Sequence, residues 1–473
     1  MKRPTRKDAL EGEFSGAALG DARLEDRAKQ IVSRIAEAPA DSFPDQMASD
    51  AELEALYRFL SNPAVTLDGL LEGHVRNTHE RMKPHRVVRI VHDTTDFKYE
   101  GDREGLGVLK RGARGFFAHM ALAVGGDEAR EPLGVLAVRH HVFEEKKILE
   151  GRKLTVAQRN RIAFNKPRSE KRSSRWEKLA IEVSQELPSD VRAIHIMDQE
   201  ADDYVLLGEL HRAKLSFVVR GDCDRVVCPG GPTIAAELSK QPAHDFRTIR
   251  VSRRTARQAT RQHPARAERD ASLAVRWGAL TIQRNKSVQS DVDELPIHAV
   301  HVLEPNPPAG EEPIDWMLFT SERVESLDDA TAIVDHYRAR WLIEEFFKAL
   351  KTGCAFEKRQ LTTLDGLLRA LGMMIPVAWT LLTLRDLGRA DSSTPPSVIF
   401  DAEQLLLLAA LLSERKRKLP PTPTMRDVML GVAALGGHIK QNGDPGWIVL
   451  GRGLMKFLDA EVGWRLARRC DQS

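Results

Sequence analysis

The spacing of hydrophobic and polar positions changes several times along the chain, and each change predicts a different kind of element. Leu53, Leu56, Tyr57 and Leu60 recur at helical spacing and stop at Asn62-Pro63, which predicts a helix ending there. Asp21 can cap an earlier helix, in which Arg23 and Arg27 lie four apart on one face. Residues 1–75 thus read as a small, separate helical unit. From residue 86 the period turns to that of strands, over 86–93, 116–124 and 133–142, with Gly/Asp/Glu turns between them. The polar, Lys/Arg-rich stretch 146–175 reads as a long loop. Then a helix (174–187), a strand (191–198), a helix (201–213) and a strand (215–220) alternate. Three antiparallel-type strands followed by alternating helix and strand indicate an α/β or α+β sheet with helices on its faces.

Residues 222–315 break that rhythm with short strand-like runs, 280–284 and 297–303, among many turn residues, and read as a β-rich insertion. The sheet resumes at 316–321. A helix over 327–351 follows, then a buried one over 364–384. A Ser/Pro-rich tract at 390–397 reads as a linker, and 398–473 is helical again, with a basic break at 415–418 before Pro420 and Pro421. Within the first of these helices, 335–351 has an unusual polar face. Taken as one continuous helix, Tyr337, Arg340, Glu344, Lys348 and Lys351 share a stripe roughly 80° wide. Leu342, Ile343, Phe346, Ala349 and Leu350 take the opposite side. A solvated face laced with the pairs Arg340–Glu344 and Glu344–Lys348 accounts for this pattern equally well on spacing alone.

Composition narrows the field. A chain of 473 residues with 42% hydrophobic and 29% charged residues is long enough for two to four ordinary globular domains. The net charge of +3 is small, so an anionic partner must be met by local patches. Two are visible: 146–175, and the run Arg247, Arg250, Arg253, Arg254, Arg257, Arg261 and Arg266, with no acid among them. Cys223, Cys228, Cys354 and Cys470 form no metal-type pair and no disulfide framework, which fits a reducing compartment. The N-terminus has no apolar signal-peptide core, and the longest apolar run, 371–384, is interrupted by Pro376 and Thr380 and too short to span a bilayer. A cytoplasmic protein without a membrane partner is expected.

Two acids stand where a sheet-based site needs them. Asp93, in VHDTTDF, is expected at the end of the first strand, and Asp198, in MDQEADDY, at the end of the fourth. With Glu344 from a crossing helix they make a hard oxygen site suited to Mg²⁺, with Mn²⁺ as substitute. Two such ions about 3.5–4 Å apart can activate a water and stabilise the leaving 3′ oxygen of a phosphodiester. Among 68 acidic residues many triples exist, so the constellation alone is weak.

The residues also resemble a known family. Tyr337, Arg340, Glu344 and Lys351 follow one another at spacings of three, four and seven, similar to the signature helix of the bacterial cut-and-paste DDE transposases of the Tyr-Arg-Glu-Lys group. FSGAALGDARL, LYRFLSNPAV, VHDTTDF, GVLAVRHHVF, MDQEADDY, FVVRGD, WMLFTSERVESLDDA, RARWLIEEFFKALKTG and LGGHIK look like that family in the same order over nearly the whole length. The resemblance implies a ribonuclease-H-like catalytic core over 76–385, with the β-rich insertion at about 222–315. It also implies a helical DNA-binding domain at 1–75 and a helical dimerisation domain at 386–473. It assigns Asp93, Asp198 and Glu344 to two Mg²⁺ ions. Tyr337, Arg340, Lys348, Lys351 and Arg220 match residues that hold transposon-end DNA, and Trp316 matches a tryptophan on which a flipped base stacks. Arg23 and Arg27 match the N-terminal DNA-binding helix. Leu24 and Phe347 depart from the pattern, standing where the family has a basic residue and a histidine.

What the resemblance implies is a Mg²⁺-dependent DNA endonuclease and strand transferase. It acts on double-stranded DNA, at transposon ends and target, as a synaptic homodimer in the bacterial cytoplasm, associated with the nucleoid when bound. The route would run through a DNA hairpin. Two rivals stay open: a metal-dependent endonuclease without strand transfer, and a catalytically inactive remnant that only binds ends.

Overall fold

A computed structural model describes residues 10–109, 112–126, 130–142, 155, 167–168, 171, 173–222, 224–251, 253–255, 265–285, 288–389, 395–396, 400–439 and 444–470. Most of the basic stretch 146–175, Cys223, Arg257, Arg261 and most of the tract 390–397 lie outside the described residues.

The chain opens with helices α1 (Ala22–Glu37), α2 (Phe43–Gln46), α3 (Asp50–Ser61) and α4 (Leu67–Met82). Asp21 caps α1 by accepting from the Arg23 amide at 2.9 Å, and Asn62 closes α3. These helices are not a separate unit. Phe14, Ile31, Leu56 and Leu60 share one hydrophobic core with Leu371 and Met374 far along the chain. Arg369 donates to the carbonyls of Leu60 and Val65, at 3.0 and 2.7 Å, tying the end of α3 to the central helix. The expected boundary at residue 75 falls inside α4, which lies against the sheet so closely that a Cβ on Gly134 would meet the Thr78 hydroxyl. Gly134 also has φ +149°, and both facts call for glycine.

The sheet is built from β1 (Val88–Tyr99), β2 (Gly107–Val108), β3 (Arg114–Gly125) and β4 (Glu131–His141). After these come α5 (Ser174–Glu186), β5 (Ala193–Met197), α6 (Tyr204–Arg212) and β6 (Phe217–Arg220). Its order is β4-β3-β1-β5-β6, antiparallel between β4, β3 and β1 and parallel from β1 through β6. Three strands folded back on one another, followed by two parallel crossovers, is the arrangement of a ribonuclease-H-like core. β1 over its first five residues, β3 and β5 are buried almost continuously, as strands covered on both faces are.

The insertion carries the short helix α7 (Ile234–Leu238), β7 (His244–Val251), β8 (Arg269–Gln283) and β9 (Glu294–Leu303). Its strands are longer than the sequence runs suggest. They do not form a separate sheet. β10 (Asp315–Thr320) pairs antiparallel with β6, and β9, β8 and β7 follow it outward, giving a ten-stranded sheet among the described residues. Nor is the arginine run free of acids once folded. Arg247 pairs with Asp335 at 2.8 Å and Arg250 with Glu268, partners that adjacency in sequence does not supply.

The helix expected over 327–351 is broken. α8 (Leu327–Arg338) ends at Ala339, and α9 (Trp341–Lys348) starts after Arg340. At the join the amides of Arg340, Leu342 and Ile343 bond three residues back rather than four. Residues 349–353 then widen into one π turn, Ala349–Gly353. Leu342, Ile343, Phe346, Ala349 and Leu350 are buried as the stripe predicts, and Phe347 is buried with them.

Helix α10 (Leu364–Arg389) runs through Pro376 and is longer than the expected 364–384. Over Leu364–Asp386 it is long and apolar enough to cross a membrane, a correction to the length read from the uninterrupted run. Its most apolar 18-residue window is 78% buried inside the protein, as in a core helix. The chain finishes with α11 (Ala402–Glu414), α12 (Met425–Leu435) and α13 (Trp447–Cys470), the basic break falling between α11 and α12.

Candidate active site

β1 outruns its parallel neighbour, and this creates the site. Pairing with β5 ends at Val91–Ile196, while pairing with β3 continues to Tyr99–Arg114. Asp93 therefore lies in mid-strand, not at a strand end, but two residues past the point where the β1–β5 seam opens. Asp198 lies just beyond the end of β5, where it caps a short 3₁₀ turn by accepting from the Glu200 amide at 2.9 Å. The Thr94 amide holds Asp93 in the same way, at 2.7 Å.

The two neighbouring motifs contain other acids, and the fold occupies them. Asp96 takes Lys98 at 3.2 Å and Lys351 at 3.5 Å. Asp202 pairs with Arg225, and Asp203 caps α6 while pairing with Arg168 at 2.7 Å. Glu200 takes Arg175 at 2.8 Å. Asp93 and Glu344 instead meet one guanidinium. Arg340 Nη1 is 3.2 Å from Asp93 Oδ2, and its Nη2 donates to Glu344 Oε1.

The electrostatics are those of carboxylates held close together with part of their charge buried. Burial, and then the charge of Asp198, push the Asp93 carboxyl up to about 7, with Arg340 opposing. Burial also raises Asp198 above the usual carboxylate range, against the Glu200 amide and Arg340. Burial works against the charge on Arg340, but Tyr337, Glu344 and Asp93 outweigh it and raise its pKa. Among the described residues no three such side chains meet at metal-ligand spacing. The donor set nevertheless fits a divalent ion, since two carboxylates that burial pushes up, Asp93 further by the charge of Asp198, are groups whose charged form a cation would favour.

The aromatic and cationic residues divide. Tyr337 is buried, packs edge-on to Trp316 with ring centroids 5.7 Å apart, and feels the charge of Arg220. The Arg220 guanidinium lies 5.7 Å from the Trp316 ring, and Trp316 itself is half-buried on β10. Tyr337, Arg340, Glu344, Arg220 and Trp316 are thus linked, and Tyr337 feels the charge of Asp198. Lys351 reaches Asp96, on β1. Lys348 does not pair with Glu344 as the i,i+4 spacing suggests; it donates to Glu345 at 3.0 Å and lies over the exposed Trp341 ring. Arg23 folds back onto its own cap, Asp21, and Arg27 is exposed beside a 250 Å³ pocket that it lines with Gln30, Arg34 and Glu52. The structure brings neither into the carboxylate cluster.

Several contributors escape sequence reasoning. Arg175 donates to Thr94 Oγ1 at 3.0 Å and bears electrostatically on Asp198, yet in sequence it is one cation in a basic stretch. On the other face of β1, Ser184 donates its hydroxyl to Ala180 O at 2.7 Å. His195 Nε2, 2.8 Å away, must therefore donate to Ser184, so His195 Nδ1 accepts from His92 Nε2 at 2.8 Å. Burial drives both rings neutral, His195 to about 4. This bond crosses the β1–β5 seam next to Asp93 and Asp198. Cys228 and Cys354 are free thiols, and burial pushes Cys354 up to about 12.

Residues 6–65 match the family model described as Transposase DNA-binding, and residues 170–380 the model described as Transposase DDE domain. Among solved structures the chain is similar to a piggyBac transposase synaptic complex with hairpin DNA. The identity is 9%, over 98% of this chain and 82% of that one, with a TM-score of 0.40.

Proposed function

From a chain that carries the DNA-binding and DDE domains of the DDE transposases, we propose a DNA transposase that cuts a mobile element at its terminal inverted repeats and joins it to target DNA. The observation that carries this is the convergence of Asp93 and Glu344 on Arg340, with Asp198 at the same seam; Asp198, Arg340 and Glu344 lie inside the matched DDE region, and Asp93 precedes it. Asp93, Asp198 and Glu344 would hold two Mg²⁺ ions, with Mn²⁺ able to substitute. Bound there, the ions would lower the pKa of a water and stabilise the charge on the leaving 3′ oxygen.

The chain's own residues then do the rest. The opened β1–β5 seam presents the carboxylates from a rigid strand and strand end, which keeps their geometry fixed during the reaction. Tyr337, Arg340 and Arg220 face the scissile phosphate, and Lys348 and Lys351 the flanking backbone. A water attacks the phosphorus at the transposon end, and the 3′ oxygen leaves as a hydroxyl. That hydroxyl attacks the opposite strand and closes a hairpin. Trp316, half-buried beside Tyr337 and Arg220, offers the flipped base a stacking surface. A second water opens the hairpin, and the freed 3′ hydroxyl attacks target DNA. Arg23 and Arg27 would contact the end from α1, and a homodimer joined through the C-terminal helices would hold two ends together in the cytoplasm.

The test is to incubate the protein with DNA carrying the element's own inverted repeat and Mg²⁺. Nick, hairpin and joined product are expected in that order. A nick with no joined product would favour an endonuclease without strand transfer, and end binding with no nick would favour an inactive remnant.

A further inference from the structure

Next to Glu344 on α9 stands a second carboxylate that the chemistry above does not use. Glu345 is buried, 6% exposed, and faces away from Arg340. Its Oε2 accepts from Trp447 Nε1 at 2.9 Å and pairs with Arg385, while its Oε1 takes Lys348 at 3.0 Å. The Arg385 guanidinium also lies over the Trp447 ring, 4.4 Å from its centroid. A buried charge is costly unless paired and hydrogen-bonded, and here three elements converge to satisfy one: α9, α10 and the first residue of α13.

The bridge does not end there. Arg389, one turn beyond Arg385, reaches Asp444 at 3.5 Å, and Asp444 takes Arg426 of α12 at 3.0 Å. Helix α13 sits backbone to backbone on α12. A Cβ on Gly436 would fall 1.9 Å from the Val449 carbonyl, and one on Gly453 1.9 Å from that of Val432. Contacts so close leave the two helices no room to slide independently, so they act on Glu345 as one rigid body. Helix α9 has only eight residues, begins at a break and ends in a π turn, so its own backbone fixes its placement weakly.

We infer that Glu345 is a positioning residue: its bridge to Trp447 and Arg385 sets the pose of α9, and so makes the placement of Glu344 depend on the C-terminal helices. This rests on the reading of Glu344 as a catalytic carboxylate. Because Glu344 and Glu345 are adjacent on a helix, their side chains leave about 100° apart, and a small rotation of α9 that relaxes one displaces the other. Whatever binds or braces α12 and α13 therefore acts on the metal-binding carboxylate through one buried contact.

The experiment uses the full-length protein with Trp447→Phe, which removes the N–H and keeps a ring, and Glu345→Gln, which keeps an acceptor. Three quantities are read: Mn²⁺ affinity of the DNA-free protein, single-turnover rate of the first nick, and Kd for end DNA. For Trp447→Phe, Mn²⁺ affinity and nicking rate are expected to fall about 10-fold while Kd for DNA stays within about two-fold, as for groups that orient metal ligands. Glu345→Gln is expected to lose less than Glu345→Leu in both readouts. If Trp447→Phe lowers the melting temperature but leaves Mn²⁺ affinity and nicking rate unchanged, the bridge is structural only and the inference is overturned. Glu344→Gln, run alongside, separates the two readings. Normal cleavage by that variant removes the catalytic assignment itself, whereas loss of cleavage there with full activity in Trp447→Phe removes only the positioning role.

Discussion

Arg340 and Asp93 lie 247 residues apart in sequence, and their side chains meet at 3.2 Å beneath the opened seam of the sheet. The same guanidinium holds Glu344, so one cation balances carboxylates contributed by a strand and a helix. A guanidinium between two carboxylates offsets the repulsion they would otherwise exert on one another.

Replacing a carboxylate of the cluster should separate binding from chemistry. Glu344→Gln and Asp93→Asn are expected to keep DNA affinity and lose at least about a thousand-fold in nicking rate, the scale of removing one preorganised charge from a transition-state site. Gel-shift and single-turnover cleavage on the same preparations check it. Cleavage at the normal rate by Glu344→Gln would sink the assignment.

Removing the cation should have the opposite signature on stability. Arg340→Gln leaves the half-buried Asp93 and Glu344 without their partner, and is expected to cost about 2 kcal/mol in the metal-free protein. Millimolar Mg²⁺ should restore part of that loss, because an ion that binds only the folded state stabilises it by mass action. Thermal melts with and without Mg²⁺ decide. A melting temperature equal to that of the wild type in the absence of metal would show that the guanidinium is not neutralising the pair.

Trp316 packs with Tyr337 and Arg220 while keeping part of its ring accessible. Trp316→Ala should therefore slow hairpin formation more than the first nick, by about 10-fold or more, the worth of one base stack. Time courses on end-labelled DNA resolve the two stages. Equal slowing of both would mean a general packing defect.

A pH dependence is expected where the N-terminal segment meets the sheet. Glu13 is buried against His74 and Arg81, and His74 Nε2 accepts from the Val135 amide of β4 at 3.0 Å. Burial works to raise the Glu13 carboxyl, but His74 and Arg81 hold it at about 2, against an ordinary 4.5. A depressed acid stabilises the fold above its unfolded pKa and loses that contribution as pH falls toward its folded one. Glu13→Gln should thus be less stable than wild type by about 3 kcal/mol near pH 7. The gap should narrow as pH drops from about 4.5 to about 2. Urea midpoints at several pH values measure it; a gap that stays constant over that window would rule out the charge as its source.

Much of this protein is legible along the chain. Strand and helix periods place the elements in order, three antiparallel-type strands followed by alternating helix and strand, because short-range hydrophobic spacing reports which face of an element is buried; the ribonuclease-H-like core was implied by the resemblance. The buried side of 341–350 is equally readable. Adjacency in sequence, however, does not say which acid meets which cation. Asp96, Asp202 and Asp203 look as good as Asp93 and Asp198 until the fold pairs them with Lys351, Arg225 and Arg168. The arginines at 247 and 250 look uncompensated until Asp335 and Glu268 reach them. The break at Ala339-Arg340 is invisible because both residues are good helix formers; tertiary packing overrides that propensity. So the sequence by itself determined the elements, their order and the candidate carboxylates. Only the tertiary structure decided that β1 outruns β5, that Arg340 lies between Asp93 and Glu344, and that Glu345 is held by Trp447. Those outcomes depend on long-range contacts, and a one-dimensional pattern carries no distance.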